Sequence, residues 1–330
     1  MNRKMVTVTI LLVVMACILP FVLTNYRTFQ ATLVLVYAIA LLGLNILTGY
    51  NGQISLGHGA FYAIGAYAAA MLMDQGGVPY WATIPIAGAV CLVAGFLFGL
   101  PALRLEGLYL ALATFALAVS MPPILKAHFI EKWTGGVQGI VIIKPDPPAW
   151  LAAAGVKLNA DQWLYFFVLA IALVLFIMGW NLVSGRIGRA LVAIRDHHTA
   201  AEAMGINTAL YKSLAFGVSA MYTGIAGALG AIAVQFVAPD SFSVFLSITF
   251  LVGIVVGGLA SLSGALYGAL FIQFVPNIAD ELSKAAPWAV FGVFLIGFVY
   301  LMPTGAAGAV RALTRGRREG KLSHAKEALP

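Results

Sequence analysis

The sequence predicts an all-α protein that crosses a membrane about ten times, and three features carry that prediction. Of its 330 residues, 62% are hydrophobic and only 9% are charged. Mean hydropathy is +0.96. The third feature is a series of apolar runs, several of them close to the roughly 20 residues that a transmembrane helix needs. Because a soluble domain carries about 25% charged residues, this composition excludes a soluble fold.

Ten apolar segments predict the transmembrane helices of a single permease domain that comprises residues 1–330. Five lie before a long polar segment, at 5–23, 31–47, 60–73, 81–100 and 108–125. Five follow it, at 163–183, 214–237, 245–256, 264–275 and 288–302. The third, eighth and ninth are shorter than a full crossing, so we expect broken or re-entrant helices there. The first lacks a small-x-small cleavage site, so we expect a retained span rather than a signal peptide.

The basic residues predict which ends of the helices face the cytoplasm. Ten crossings place both termini on one side, and the positive-inside rule makes that side cytoplasmic. The predicted inner cations outnumber the outer ones by more than two to one. Inside are Arg3, Lys4, Arg104, Arg186, Arg189, Arg195, Lys212 and the six cations of a basic tail, 309–330; outside are Arg27, Lys126, Lys132, Lys144, Lys157 and Lys284. The net charge of +7 is therefore interpreted as a topology signal rather than as a nucleic-acid interface.

The polar segment at 126–162 is predicted to be an external loop, with a surface helix at 149–154. It separates two sets of five spans, which would then have opposite orientations. Such an arrangement is typical of transporters built from inverted repeats, so the sequence predicts a possible 5+5 inverted repeat.

The stretch 45–67 reads NILTGYNGQISLGHGAFYAIGAY and places polar residues and glycines between two apolar runs. Non-helical backbone at membrane depth is tolerated only where protein buries it or where it lines a wet cavity. An interrupted apolar segment therefore points to a translocation pathway, or to a broken helix beside one. The candidate residues are Asn45, Gln53, Ser55, His58 and Tyr62. A plain inter-helix loop packed through small residues is the alternative.

The remaining chemistry argues against an enzyme and against a proton pump. Under this topology no Asp, Glu, Lys or Arg lies within a span, whereas proton relays usually need them there. The chain contains no His-Glu-x-x-His motif and no phosphate-binding Gly-x-x-x-x-Gly-Lys-Ser/Thr loop. We therefore expect no catalytic residue, no metal and no cofactor, and any ATP must be hydrolysed by a separate subunit. Sodium coupling through backbone carbonyls stays open.

The predicted cytoplasmic loop at 185–212 contains a short helix suited to contact with a partner. Thr199 and Glu202 have the spacing of a capping box, and Gly205 would end the helix. This arrangement would present Ala201, Met204 and Ile206 as apolar knobs to a groove on another subunit. An amphipathic helix lying on the membrane surface is the alternative.

Three stretches resemble the permease subunits of branched-chain amino-acid ABC importers, specifically the M-type partner of an H/M heterodimer. The stretch 44–61 is similar to the N-terminal signature of that family. The stretch 193–212 is similar to its version of the Glu-Ala-Ala coupling loop, although Met204 replaces the second alanine. The segment 300–305, YLMPTG, resembles its closing Pro-x-Gly motif.

The resemblance implies a type II importer architecture with several partners. These are an H-type permease subunit, two cytoplasmic ABC ATPase subunits, a periplasmic amino-acid-binding protein and the lipid of a bacterial inner membrane, with no nucleic acid. The residues implied for ATPase coupling are Arg195, Asp196, Thr199, Glu202, Ala203, Met204 and Gly205. We expect a permease for leucine, isoleucine and valine that forms half of a translocation pathway. The alternatives are an importer for urea or another small amide or amino acid, an ion-coupled secondary transporter, and a membrane scaffold.

Overall fold

The structure of the chain is a computed structural model, which describes residues 3–102, 105, 107–149, 151, 158–282, 284 and 286–312. Several features named above lie outside these ranges. They are Arg104, Lys157, most of the surface helix predicted at 149–154, and the basic tail beyond residue 312. The side chains of Arg3 and Lys4 are also outside the description.

The described residues are almost entirely helical. The helices are α1 (Arg3–Val22), α2 (Asn25–Asn45), α3 (His58–Asp74), α4 (Tyr80–Ala102), α5 (Leu108–Leu125), α6 (His128–Thr134), α7 (Ala160–Ser184), α8 (Arg186–Asp196), α9 (His198–Ala203), α10 (Thr208–Val234), α11 (Val244–Gly257), α12 (Leu262–Leu282) and α13 (Pro287–Leu301). Residues 305–312 are helical again. A π-helix at Ile46–Tyr50 extends α2, and 3-10 turns occupy Gly136–Gln138 and Pro239–Phe242. The two short strands, β1 (Ile140–Val141) and β2 (Phe236–Val237), pair antiparallel.

Each of the ten predicted spans coincides with a helix, and within the described residues seven helical segments are long and apolar enough to cross a membrane. The chain is therefore an all-α, multi-pass membrane protein. The prediction for the ninth span was wrong, because α12 has 21 residues and qualifies as a full crossing. Its second half carries Gln273, Asn277, Asp280 and Glu281, which lowered the local hydropathy, while Pro276 is accommodated inside the helix. The third and eighth spans are short, as predicted: α3 has 17 residues and α11 has 14.

Two long helices form the centre of the bundle. In the most apolar stretch of α2, 72% of the residues are buried, and in that of α10 the share is 83%. Both shares are higher than in the other long spans. Helix α10 packs on α2, α3 and α4, while α12 and α7 pack on α2. Helix α13, in contrast, is mostly exposed: only 11% of the window that includes it is buried.

The bundle has two ends, which we name after a charged residue at each. The Arg195 face contains the end of α2, the helices α8 and α9, and residues 258–261. The Asp240 face contains the start of α2, α6, the β1–β2 pair and the end of α12. At the Asp240 face, Lys126 and Asp240 form an ion pair with an N···O distance of 2.6 Å. This pair joins the end of α5 to the 3-10 turn after α10.

Helices α3 and α10 approach so closely that glycine is required where they cross. A Cβ atom built on Gly65 of α3 would overlap the backbone carbonyl of Gly224 in α10. Small residues at crossings let transmembrane helices gain dispersion energy from direct backbone contact. The central packing therefore depends on the absence of side chains at this crossing.

We expect Gly65→Val to lower the apparent melting temperature of the detergent-solubilised chain. Overpacking a tight interior typically costs about 1–3 kcal/mol, and here the clash is with rigid backbone. Thermal unfolding followed by intrinsic fluorescence measures the effect. Gly292→Val is the matched control, because nothing lies within 4 Å of a Cβ at Gly292 in α13. Equal melting temperatures for the two variants would contradict the close crossing.

Candidate functional site: the 45–58 bend and the surface helix α9

The 45–58 bend, residues 45 to 58, links α2 to α3 at the Arg195 face. At Ile46 the α-helix changes to a π-helix, and the backbone N–H of Asn51 donates to the carbonyl of Ile46 at 3.2 Å. Residues 51–57 are non-helical, and α3 begins at His58. The polar, glycine-rich break that the sequence predicts is therefore present, between two transmembrane helices.

Backbone donors around the bend are satisfied by side chains from other helices. The N–H of Leu56 donates to the Thr114 hydroxyl of α5 at 2.9 Å. The N–H of Gly59, in the first turn of α3, donates to the Ser247 hydroxyl of α11 at 2.8 Å. The first N–H groups of a helix have no partner within it, and none is available from lipid. Hydroxyls supplied by α5 and α11 therefore make the bend tolerable inside the bundle.

A chain of buried hydrogen bonds connects the bend to the two central helices. The Ser55 hydroxyl lies 2.9 Å from His58 Nδ1, and His58 Nε2 lies 2.6 Å from the Ser219 hydroxyl. Ser219 donates to the carbonyl of Gly43 at 2.6 Å, so its oxygen accepts from Nε2–H. His58 is fully buried, and burial disfavours a charged ring. The one ring proton therefore lies on Nε2, and Nδ1 accepts from Ser55.

Asn45 fastens the bend to a second loop at the same face. Its amide nitrogen donates to the carbonyl of Ser261 at 2.7 Å, and its amide oxygen accepts from the N–H of Ala260 at 2.9 Å. Ala260 has φ +53°, a conformation that costs an ordinary residue roughly 1 kcal/mol or more. The paired bonds to Asn45 offset that cost and fix the connection between α11 and α12.

The five residues proposed for the pathway are all buried within the chain. Gln53 accepts through Oε1 from the Asn51 amide at 2.8 Å. Tyr62 packs in an aromatic cluster, with ring centroids 5.6 Å from Phe250 and 6.1 Å from Phe242. The structure thus brings Asn45, Gln53, Ser55 and His58 together in the bend, with Tyr62 one turn beyond His58 in α3. Their side chains point into the protein.

A polar cavity lies where the bend meets α8 and α10. Its volume is about 260 Å³, and Asn51, Gln53, Arg195 and Lys212 contribute to its lining. Of the five residues proposed for the pathway, Gln53 is the one that reaches it. The cavity has two cationic side chains on its wall and opens at the Arg195 face.

The surface helix α9 is capped differently from the prediction. The capping box of Thr199 and Glu202 was wrong, because the N-cap and the start of the helix both lie two residues earlier. His197 is the N-cap, and its Nδ1 accepts from the N–H of Ala200 at 3.3 Å. Glu202 instead accepts through Oε1 from the Thr208 hydroxyl at 2.6 Å, which ties the helix to the start of α10. Histidine is an uncommon cap, so the more usual Thr-x-x-Glu pattern was misleading.

Gly205 ends α9 as the sequence predicts. It has φ +82°, the left-handed conformation that glycine adopts at low cost, and the N–H of Ile206 donates back to the carbonyl of Ala201 at 3.1 Å. The predicted knobs differ from one another. Met204 is 83% exposed, whereas Ala201 is only 4% exposed and packs inward, and Ile206 is half-buried. Ala203 lies about 200° around the helix from Ala201 and is exposed, whereas Met204 follows the last residue of the helix.

Arg195 joins this surface region to the 45–58 bend. Its Nη1 donates to the carbonyl of Gly49 at 2.8 Å, and its Nε donates to Asp196 at 3.0 Å. Arg195 lies in the last turn of α8, directly before α9. One guanidinium therefore connects the exposed helix to the π-helical end of α2.

Sequence reasoning missed the residues that support the bend from elsewhere in the chain. Thr114, Ser219, Ser247 and Ser261 were not selected, although all four are buried and hydrogen-bonded. Ser219 and Thr223 are polar residues four apart in an apolar span. Serine and threonine side chains within a span often form hydrogen bonds across helices, and this signal could have identified Ser219.

These features define a class of protein: a polytopic membrane protein with a broken helix near one face and a short exposed helix beside it. The family model described as "Branched-chain amino acid transport system / permease component" matches residues 26–303. The chain belongs to this family, which is a family of transport subunits. The match includes the bend, α8, α9 and both central helices.

The relatives differ in the solute that their names state. The chain is 34% identical over 309 residues to the high-affinity branched-chain amino acid transport system permease protein LivM of Escherichia coli (strain K12); the match covers 88% of this chain and 72% of the relative. A LivM of Salmonella typhimurium matches equally. The chain is 25% identical over 342 residues to the autoinducer 2 import system permease protein LsrC of Escherichia coli O9:H4, covering 98% of this chain and 92% of the relative. No solved structure matches the chain.

We expect Ser219→Ala to destabilise the chain by about 1–3 kcal/mol, since it leaves the buried His58 Nε2–H and the Gly43 carbonyl without their partner. A lowered apparent melting temperature in detergent would register this. Ser120→Ala is the control, because the Ser120 hydroxyl donates only to its own helix at an exposed site. If both variants melt like the parent chain, the buried hydrogen-bond chain does not stabilise the bend.

Proposed function

We propose that this chain is the M-type permease of an ATP-binding-cassette importer for branched-chain amino acids and forms half of its translocation pathway. Its partners would be an H-type permease, two cytoplasmic ATPase subunits and a periplasmic amino-acid-binding protein. Family membership supports the general assignment. The substrate follows from the name of LivM, the relative with the higher identity of the two kinds described.

One observation supports this mechanism most strongly: Arg195, at the end of the helix that precedes α9, is bonded to the bend. Ala203 and Met204 face outward, and Arg195, one turn before α9, is bonded to Gly49. We infer that an ATPase groove receives Met204. Closure of the ATPases would displace α9, and Arg195 would carry that displacement to the end of α2.

From Gly49 the displacement would reach two further parts of the chain. Asn45 is bonded to Ala260 and Ser261, so the connection between α11 and α12 would move with the bend. His58 is linked through Ser219 to α10. We therefore assign Asn45, Ser55 and His58 to holding the broken helix together, rather than to direct contact with solute. Gln53 lines the polar cavity, and it is the candidate for solute contact on the Arg195 face.

The orientation follows from the same proposal. An ATPase contacts α9 from the cytoplasm, so the Arg195 face would be cytoplasmic and the Asp240 face periplasmic. Both termini would then be cytoplasmic in a bacterial inner membrane, with ten crossings. The burial of both α2 and α10 at the centre supports a 5+5 repeat, because these are the second helix of the first five and the second helix of the last five.

The alternative functions have less support than the branched-chain amino-acid importer. The family description, a permease component of a transport system, favours an importer over an ion-coupled secondary transporter or a scaffold. An importer of urea or another small amide or amino acid would use the same architecture. Uptake of labelled leucine, isoleucine and valine, in competition with urea and other amino acids, distinguishes these substrates.

We expect Met204→Asp to weaken association with the ATPase about thirtyfold. Interface hot spots contribute roughly 2 kcal/mol or more, and a carboxylate in an apolar groove would be left without a partner. Co-purification of co-expressed subunits in mild detergent measures the association. Met204 is a sharper probe than Glu202, whose bond to Thr208 also supports the local structure.

Val137→Asp is the control, because Val137 is 68% exposed on the Asp240 face. The assignment of α9 as the ATPase contact would be contradicted if Met204→Asp recovered as much ATPase as the parent chain. Loss of the ATPase from Val137→Asp would also contradict it.

We expect Arg195→Ala to separate ATP hydrolysis from transport. The ATPase would still dock on α9, but uptake in proteoliposomes would fall about tenfold or more, because the bond to Gly49 is lost. Arg189→Ala in the same helix is the matched control, since Arg189 contacts only the nearby Ser184 carbonyl, at 3.5 Å. Uptake that remains proportional to hydrolysis in Arg195→Ala would exclude this residue from the coupling path.

A further inference from the structure

A large open groove lies at the Asp240 face, between α1, α2, α7 and α12. Its volume is about 760 Å³. The first helix borders it but packs little on the rest of the chain. Two bonds hold α1 against α7: the Tyr165 hydroxyl donates to the Ala16 carbonyl at 2.9 Å, and the Gln162 amide donates to the Pro20 carbonyl at 3.1 Å.

The lining of the groove is graded from polar to apolar. Arg27 lies at the start of α2, and Asp280 and Glu281 lie at the end of α12, so all three are at the Asp240 face. Val34 and Leu270 lie deeper in the bundle. From residue 27 to residue 35 of α2 the groove extends about 12 Å along the helix axis, at 1.5 Å per residue. This gradient matches the change from headgroup region to hydrocarbon across one leaflet.

The charges at the rim are not neutralised within the described part of the chain. Arg27, Asp280 and Glu281 line the same groove, yet none of them forms an ion pair there. An occupant that carries both a cation and an anion would satisfy both signs. The guanidinium suits a phosphate, which it can bind through two parallel hydrogen bonds. The two carboxylates suit a primary ammonium, which has three N–H donors.

We propose that this groove binds one zwitterionic aminophospholipid, a phosphatidylethanolamine, from the leaflet at the Asp240 face. Its phosphate contacts Arg27, its ammonium contacts Asp280 and Glu281, and an acyl chain lies along Val34 and Leu270. A free amino acid carries the same two charges, but it would leave the deep apolar part of the groove empty. Exposed apolar residues of α1 beside the groove, such as Met15 and Ile18, also suit a lipid neighbour.

Headgroup selectivity follows from this arrangement. Phosphatidylglycerol has no cation and would place its phosphate near two unpaired carboxylates. Phosphatidylcholine has a cation without N–H donors, so it cannot form charge-assisted hydrogen bonds with them. Phosphatidylethanolamine should therefore bind about tenfold more tightly than either lipid.

Native mass spectrometry of the delipidated full-length chain, purified with its partner subunits, tests the proposal. Phosphatidylethanolamine, phosphatidylcholine and phosphatidylglycerol with identical acyl chains are added in turn. Arg27→Gln should reduce phosphatidylethanolamine binding about tenfold, and Glu281→Gln should reduce its preference over phosphatidylcholine. Leu270→Trp, which fills the apolar part, should remove the bound lipid. Lys132→Gln, a cation of the Asp240 face outside the groove, should change nothing.

Three outcomes would overturn the proposal. One is equal binding of the three lipids by the parent chain, with Arg27→Gln unchanged. Another is displacement of the lipid by millimolar leucine, which would make the groove a solute site. The last is the absence of lipid combined with crosslinks from the groove to the second permease, which would make it a subunit interface. Melting temperatures of the variants equal to that of the parent chain ensure that a loss of binding is not a loss of folding.

Discussion

The structure depends on one constraint: backbone that leaves the helix inside a lipid-embedded bundle must find its hydrogen-bond partners within the protein. At the 45–58 bend those partners come from four other helices or their connections. Thr114 accepts from the backbone of the bend, and Ser247 accepts from Gly59 at the start of α3. Ser219 binds the ring of His58, and Asn45 extends the network to Ala260. The bend is therefore the place where distant parts of the chain are fastened together.

This network also determines how a signal could pass through the molecule. Arg195 is a charged residue bonded to the bend, and it lies next to the exposed helix α9. Beyond Gly49, the hydrogen bonds of Asn45, Ser55, His58 and Ser219 join uncharged groups. A second cation, the exposed Arg311, donates to the Ser261 hydroxyl. A charged group at the surface and neutral groups inside agree with the high cost of burying charge in a membrane protein.

The sequence predicts the positions of the transmembrane helices well, because each coincides with an apolar run. It also predicts the bend, from polar residues and glycines between two apolar runs, and the end of α9 at Gly205. It does not predict that His197 caps α9, since that choice depends on the backbone conformation of His197, the residue that precedes the helix. The partners of His58 and Asn45 lie 161 and more than 200 residues away, so only the tertiary packing reveals them. The length of α12 was also hidden from the sequence. The polar residues at its end, some of which line a groove, ended the apolar run before the helix ends.

The crossing of α3 and α10 at Gly65 and Gly224 brings the two backbones into direct contact. Two backbones in direct contact have no room to move closer together. A displacement that enters at α9 would thus meet α3 and α10 as one closely packed block. In a transporter assembled from two such blocks, the gate would be the seam between them, and how wide it opens would depend on how far the attached motor travels.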